Sequence, residues 1–315
     1  METRHGSTAW WALRALWRDV RKTRLPGETA ILDAAQNSAV ETRTRPQRAL
    51  GTLWLASKSL RPSGASVLGD LRHSGCLKAL FPRSAADRLS GVLINTSGGI
   101  TGGDDLRIKA QVGCNSRLTL TTQAAERIYR ATGDTAGRVD TLIRVEDGGR
   151  LDWLPQETIL YDRSVLDRRL RIELLGTARC LVVETLVFGR TAMGESVTHL
   201  RLSDRIELWR DGAPLFIDRM RLNGDAAAHL ARRATGGGAV AMASVLIATA
   251  PDSPDAAAHL ARLRPSLPAT AGASLIRPGL LFLRLTAPDS YDLRRTLLPV
   301  LAQLNDGPLP RTWMI

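Results

Sequence analysis

Four short segments hold most of the side chains able to bind, orient or ionise. The first, Asn95-Thr96-Ser97-Gly98-Gly99-Ile100-Thr101-Gly102-Gly103-Asp104, sets two glycine pairs among small polar residues and ends on a carboxylate. Glycine pairs let a backbone bend sharply and come close to a neighbouring chain or ligand. As a phosphate cradle the string fails: no Gly-Lys-Ser/Thr supplies the lysine and the magnesium-binding hydroxyl, and no helical period follows. A tight strand-to-strand turn is the simpler alternative. The second segment, Thr121 to Arg130, carries Gln123 and then Glu126 and Arg127 beside small residues, where a solvated charge pair is the plain reading. The third, Trp153 to Asp162, places Pro155, Gln156, Glu157 and Asp162 among strand-forming residues. An unpaired buried carboxylate there is costly, so either it is paired or water reaches it. The fourth, Phe188 to Glu195, brackets small residues between Arg190 and Glu195, which suits the close approach of another backbone or a surface loop.

Several chemistries are excluded by what these segments lack. There is no Gly-x-Ser-x-Gly elbow, no His-Glu-x-x-His and no plausible Cys/His dyad, so a hydrolase reading has no nucleophile in context. His5, His73, His199, His229 and His259 are scattered, and no Cys-x-x-Cys or His-x-His occurs. Tight metal storage, which wants imidazole or thiolate at close spacing, is therefore not expected. The formal charge of +12, from 43 Lys+Arg against 31 Asp+Glu, attracts acidic partners of any kind. The cations are dispersed and aromatics reach only 4%, which gives a nucleic-acid binder few stacking platforms. No apolar run is long enough to cross a bilayer as a helix, and no cleavable leader is seen, so a cytoplasmic chain without membrane or nucleic-acid contact is expected. Cys76, Cys114 and Cys180, odd in number and far apart, suit reduced thiols on strands in such a compartment.

The elements that must position these segments follow from periodicity. Residues 1–48 carry nine Lys/Arg and five Asp/Glu, with Trp10, Trp11, Leu13, Leu16, Trp17 and Val20 spaced as one short basic amphipathic helix before Pro26-Gly27. They read as a variable basic N-terminal extension outside the core, poorly ordered. From Ala49 the texture turns to period-two runs, at 51–56, 91–95, 107–112, 117–122, 138–145, 150–154 and 170–188. These predict antiparallel meanders. Asp211-Gly212, between runs at 205–209 and 215–219, supplies the positive φ angles of a hairpin turn. After Gly236-Gly237-Gly238 come a strand at 239–250, a helix at 255–263, a strand at 273–285 and a helix from an N-cap at Ser290 to Leu304, with Pro299 as a kink or early stop. The expected fold is mainly β: an irregular stacked antiparallel, solenoid-like scaffold over 49–315 with about two helices in its C-terminal part.

The four segments, with Gly75-Cys76-Leu77-Lys78 through Phe81-Pro82-Arg83 and with Leu309-Pro310-Arg311-Thr312-Trp313, resemble in order and wording the urease accessory protein UreD (UreH) family. The resemblance runs from about residue 49 to 315; the longer, tryptophan-rich N-terminus departs from it. It implies a non-catalytic, mainly β scaffold for urease maturation. Such a scaffold binds UreF and through it the GTPase UreG, docks on apo-urease, and passes nickel towards the urease site through an internal polar tunnel. No cofactor is then bound tightly, and Ni²⁺ is at most transient. A transit path should bind weakly through hard oxygen ligands. The expected lining is Thr96, Ser97, Glu126, Glu157, Asp162, Glu184 and Glu195. Asn95, Gly98, Gly99, Gly102, Gly103, Asp104, Gln123, Arg127, Gln156 and Arg190 are expected to shape the motifs around it.

Overall fold

The structure, a computed structural model, describes residues 47–85 and 87–314. The helix expected near Trp10 lies outside the described residues. Two antiparallel hairpins come first: β1 (Leu50–Ser59) with β2 (Ser66–Gly75), and β3 (Leu77–Leu80) with β4 (Leu89–Asn95). Three coils of a β-solenoid follow. Each lays a strand in one sheet, crosses to a strand of a second sheet, and adds a short rung on a narrow third face before returning. The first coil is β5 (Asp105–Val112), β6 (Arg117–Thr122) and β7 (Glu126–Ile128). The second is β8 (Gly137–Val145), β9 (Arg150–Leu154) and β10 (Thr158–Leu160). In the third, β11 (Ser164–Leu174) leads to β12 (Arg179–Phe188), which is long enough to serve both the second sheet and the narrow face.

Strands β13 (Leu200–Arg210) and β14 (Ala213–Gly224) complete the first sheet, in the order β14-β13-β11-β8-β5-β1-β2. A short helix α1 (Ala226–Ala231) then precedes β15 (Ala241–Ala248), α2 (Asp255–Leu263), β16 (Ala271–Arg277), β17 (Leu280–Ala287) and α3 (Ser290–Leu304). The second sheet runs β16-β17-β15-β12-β9-β6-β4-β3. The fold is mainly β and solenoid-like, as the sequence suggests, with α1 as a third, short helix.

Within the coils the strands pair in parallel: β5 with β8, β8 with β11, β11 with β13, and likewise β4, β6, β9 and β12. The expected antiparallel meanders are corrected on this point. Period two records one buried face and is identical in parallel and antiparallel strands. Direction is set here by the four-residue corners 113–116, 146–149 and 175–178, which carry the chain across to the other sheet instead of back along the same one. The single strand expected at 273–285 is the hairpin β16–β17, broken at Pro278-Gly279, where Gly279 takes φ +75°. The N-cap of α3 is Asp289, whose carboxylate accepts from Asp292 N at 2.8 Å, and not Ser290; the helix continues through Pro299 to Leu304. The Asp211-Gly212 hairpin is as expected, with both residues at positive φ.

Two apolar layers hold the coils together. Leu106, Ile108, Ile143, Leu170 and Ile172 of the first sheet meet Leu118, Leu120, Leu151 and Val182 of the second. The outer side of the second sheet is covered in turn: Leu181, Val183, Val245 and Leu283 pack beneath Leu293, Leu297 and Leu301 of α3 and Leu263 of α2. Strand β12 lies between the two layers, which is why nearly its whole length is buried and why it reads as a continuous apolar run. No helix of the described residues is long and apolar enough to cross a membrane.

Candidate functional site

The four segments singled out in the sequence are four successive rungs of the narrow face. Ile100 bridges Ile128, Ile128 pairs with Leu160, and Leu160 pairs with Phe188, so the segments stack in chain order. The backbone ladder is short and regular: Ile100 N donates to Arg127 O at 2.8 Å, Tyr161 N to Ile128 O at 3.0 Å, and Gly189 N to Leu160 O at 2.8 Å. These apolar side chains point inwards and are 4% exposed or less. The polar residues of each rung are thereby left at the corners and outside. Tyr129 meets Tyr161 edge-to-face with centroids 5.2 Å apart, and the Arg190 guanidinium lies 4.3 Å above the Tyr161 ring.

The glycine-rich turn is built against this ladder. Asp104 is buried and fixes the turn by accepting from Ala49 N and Thr101 N, both at 2.8 Å. Gly99 has φ +154°, and a Cβ there would sit 2.3 Å from the Tyr129 ring, so only glycine fits. Gly98 (φ +78°) and Gly103 (φ +91°) take backbone angles open mainly to glycine, and a Cβ on the buried Gly102 would meet Thr135 O at 2.5 Å. The outcome is a tight turn, and the Asn95 side chain organises it. Its Oδ1 accepts from Ser97 N and Ser97 Oγ, while its Nδ2 donates to Gly99 O and to both Glu126 carboxylate oxygens at 3.2 and 3.3 Å. Thr96 Oγ1 donates to Cys76 O, and Thr96 and Ser97 are exposed.

Glu126 is the unusual group here. Burial raises its carboxyl from an ordinary 4.5 to about 7, against the lowering effect of the Asn95 amide and of the Arg127 backbone and charge. A carboxyl raised in the folded state favours folding fully only below its unfolded pKa, and that advantage is lost as pH rises through about 7. Wild-type stability should therefore fall by about 2.5 kcal/mol more than that of Glu126→Gln between pH 5 and pH 8. Urea denaturation of both proteins at the two pH values measures this; a difference that does not change with pH would refute it.

The remaining predicted residues fall into three further places. Gln123 is exposed and donates its backbone N–H to Leu93 O, and Arg127 is exposed beside Tyr129. Glu157 answers the question of pairing or water: Arg294 of α3 reaches down to Glu157 Oε1 and Gln156 Oε1, both at 3.0 Å. The Gln156 side-chain nitrogen is buried without a hydrogen-bond partner among the described residues. At the next corner Asp162 Oδ1 accepts from Thr198 N and His199 N, each at 2.8 Å, and Glu195 accepts from Arg190 Nε and from Asp162 N. Both carboxyls are held below their ordinary range. Slight burial opposes this, and it is outweighed at Asp162 by the two N–H donors and at Glu195 by the Arg190 side chain and the backbone donors.

Glu184 stands apart from the others, on the inward side of β12. Its Oε1 accepts from Trp153 Nε1 at 2.7 Å and its Oε2 lies 2.7 Å from Arg168 Nη1. Arg168 also grips Asp204 with two bonds of 2.7 and 2.8 Å and donates to Thr158 Oγ1. Beside this network Glu184, Asp204, Asp218, Ser244, Met220 and Met242 line a small cleft between the sheets, with about 10 Å³ of room, enough for one water molecule. Sequence reasoning missed Arg168 and Asp204, although a signal existed. Both share the parity of core residues, Arg168 with Leu166 and Leu170, Asp204 with Leu202 and Ile206.

Nothing in this geometry forms a nucleophile with its base, and no cluster of three or more metal-ligating side chains exists among the described residues. The model of the UreD urease accessory protein family matches residues 51–314. The urease accessory protein UreD of Ruegeria pomeroyi is 50% identical over 250 residues, covering 79% of this chain and 96% of the relative. That of Roseobacter denitrificans is 46% identical over 268 residues, covering 85% and 96%. That of Rhizobium leguminosarum bv. trifolii is 41% identical over 271 residues, covering 86% and 97%. A match of this extent and identity, over the rungs, the turn and the C-terminal helix alike, means that the chain belongs to the UreD family of urease accessory proteins.

Proposed function

We propose that this chain is a non-catalytic adaptor of urease maturation in the cytoplasm. It binds UreF, and through it the GTPase UreG, docks on apo-urease, and passes Ni²⁺ as cargo from one to the other along polar side chains of its own. The observation that supports a passage is the interior cleft, where Glu184, Asp204 and Asp218 put carboxylates around room for one water within an otherwise apolar layer without forming a set that would hold a metal. Arg168 and Arg284 already offset two of those carboxylates, so a divalent ion in transit would meet weak oxygen contacts there and no tight site. Family membership supports the adaptor itself.

Co-expression with UreF, UreG and apo-urease tests both parts. The wild-type chain should co-purify with UreF and raise the nickel content of urease. Glu184→Gln should leave co-purification intact and lower nickel content and urease activity at least fivefold. If Glu184→Gln loads nickel normally while Glu157→Ala/Glu195→Ala does not, the path follows the narrow face and not the cleft. If the wild-type chain does not associate with UreF at all, the adaptor reading is wrong.

A further inference from the structure

The cleft between the sheets is too small as it stands for an ion that keeps part of its hydration shell. Its room of about 10 Å³ takes one water, whereas hard divalent cations dehydrate reluctantly and travel with several. Passage therefore requires a group at the rim to move, and the group that moves is the one held least.

Strand register lays a row across the second sheet from the interior outwards. Glu184 of β12 pairs with Ser244 of β15, Ser244 with Arg284 of β17, and Arg284 with Gly272 of β16. Asp204 of β13 and Asp218 of β14 stand opposite in the first sheet, and Arg284 Nη2 bonds Asp218 Oδ2 across the gap. Strands β14 and β16 end the two sheets, so the row leads to the end of the sandwich. Exposure rises along it: the side chains of Glu184 and Asp204 are 6% and 8% exposed, those of Asp218 and Arg284 27% and 31%. Beyond Arg284 no side chain stands in the way, because Gly272 is exposed and a Cβ on it would meet nothing within 4 Å.

The two arginines that offset the cleft carboxylates are held very differently. Arg168 is buried and tied to Asp204 by two bonds, to Thr158 by a third and to Glu184 by an ion pair. Arg284 has the one ion pair with Asp218, and its Nε is buried without a hydrogen-bond partner among the described residues. Its guanidinium otherwise rests 5.2 Å from the Phe282 ring, which meets Phe216 of β14 at 5.0 Å. A part-exposed single pair contributes little and opens readily, whereas a buried network does not. Arg284 can swing on its long stem at the loss of one pair while Arg168 stays.

We infer that Arg284 and Asp218 form the gate of the cleft. Paired, they span the two sheets and set a guanidinium at the rim, which repels an arriving cation. Parted, they leave the Asp218 carboxylate at the rim with Glu184, Asp204 and the Ser244 hydroxyl behind it, and a hydrated divalent cation gains an entry lined with oxygen. The inference rests on the reading of the cleft as the nickel path and adds which residues admit the ion.

Cysteine accessibility on the full chain tests the gate without reference to urease. Ser244→Cys is introduced together with Cys76→Ser and Cys114→Ser, and its reaction with two methanethiosulfonates, the cationic ethylammonium and the anionic ethylsulfonate, is followed. Both should react slowly while Arg284 is present. Arg284→Gln should speed the cationic reagent at least tenfold and favour it over the anionic one. Asp218→Asn should also open the cleft, with that preference reduced at least threefold. Arg72→Gln, at an exposed position on the opposite edge strand of the first sheet, should change either rate less than twofold. Cys180, 3% exposed on β12, remains as an internal control and should stay unlabelled. Fast reaction with Arg284 in place, or equal rates in all variants, overturns the gate; so does labelling of Cys180 alongside position 244, which would mean that the sheets part as a whole. Nickel content of co-expressed urease separates this from the reading beneath it. If Glu184→Gln lowers nickel loading but cysteine reactivity never changes, the path stands and the gate falls. If Glu184→Gln loads nickel normally while Arg284→Gln still opens position 244, the path falls and the gate stands as the control of access to the cleft.

Discussion

Replacing Arg168 with leucine is expected to destabilise the chain by about 3–5 kcal/mol, the cost of leaving buried carboxylates without their cation. The Arg168 side chain is 11% exposed and those of Glu184 and Asp204 are 6% and 8%. Burial alone would make the guanidinium easier to deprotonate, yet Asp204 and Glu184 raise it above its ordinary value, so it is a charged group at every accessible pH. It joins all three faces of the solenoid: its own β11 and Asp204 of β13 in the first sheet, Glu184 of β12 in the second, and Thr158 of β10 on the narrow face. The loss should depend on pH in a definite sense. Burial holds Glu184 above the ordinary carboxyl range even with Arg168 present. Without it, protonation relieves the repulsion from Asp204, and an acid whose folded pKa is raised loses stability as pH rises. The deficit of Arg168→Leu relative to wild type should therefore be larger at pH 8 than at pH 5.5 in urea denaturation. Arg168→Met/Glu184→Gln/Asp204→Asn, which removes charge of both signs and keeps an acceptor for Trp153, should recover most of it. A single variant within 1 kcal/mol of wild type at both pH values would show that the network contributes no more than a surface ion pair.

Much of this architecture can be read from alternation. Period two at 138–145 and 150–154 places β8 and β9, and Asp211-Gly212 places the β13–β14 turn, whereas the single run at 170–188 is the end of β11 and the whole of β12 with the 175–178 corner between them. The glycines of the Asn95 turn signal close approach, and the approaching group is Tyr129. What alternation cannot carry is which strand lies next to which. The stacking of Ile100, Ile128, Leu160 and Phe188 joins residues separated by about thirty positions, with no strict repeat to announce it, and parallel coils look like meanders until the corners are seen. Single long-range partners are equally silent. Glu157 is a carboxylate needing a cation, but nothing near it in the chain indicates that Arg294, 137 positions later, will supply one. Arg168 and Asp204 are different, since their place on the core side follows from period two. An arginine on the buried face of a strand is a conflict between local pattern and burial, and such a conflict resolves only by pairing.

Truncating Trp313 to alanine is the other change expected to cost about 3–5 kcal/mol, from lost burial and the cavity left behind. Trp313 is 1% exposed although it stands near the C-terminus, and it closes the second apolar layer beside Leu154, Leu297 and Leu301. Its indole N–H donates to Leu154 O at 2.9 Å, one residue before Pro155 in the segment that holds Gln156 and Glu157. Its own carbonyl accepts from Arg294 Nη2 at 2.6 Å, and the same guanidinium lies 5.2 Å from its ring while gripping Glu157. The terminal segment is therefore a clamp: Trp313 holds Arg294 against the second rung, and Thr312 adds a hydroxyl bond to Thr121 on the first coil. Removing the ring should loosen the Gln156 corner as well as the end of the chain. Trp313→Phe keeps most of the packing but leaves Leu154 O without its donor, so it should fall between wild type and Trp313→Ala. Urea denaturation ranks the three proteins, and amide exchange at Gln156 and Glu157 reports the corner separately. If Trp313→Ala unfolds at the wild-type urea concentration, or exchange at those two amides is unchanged, the clamp does not exist and the C-terminal segment merely rests on the coil.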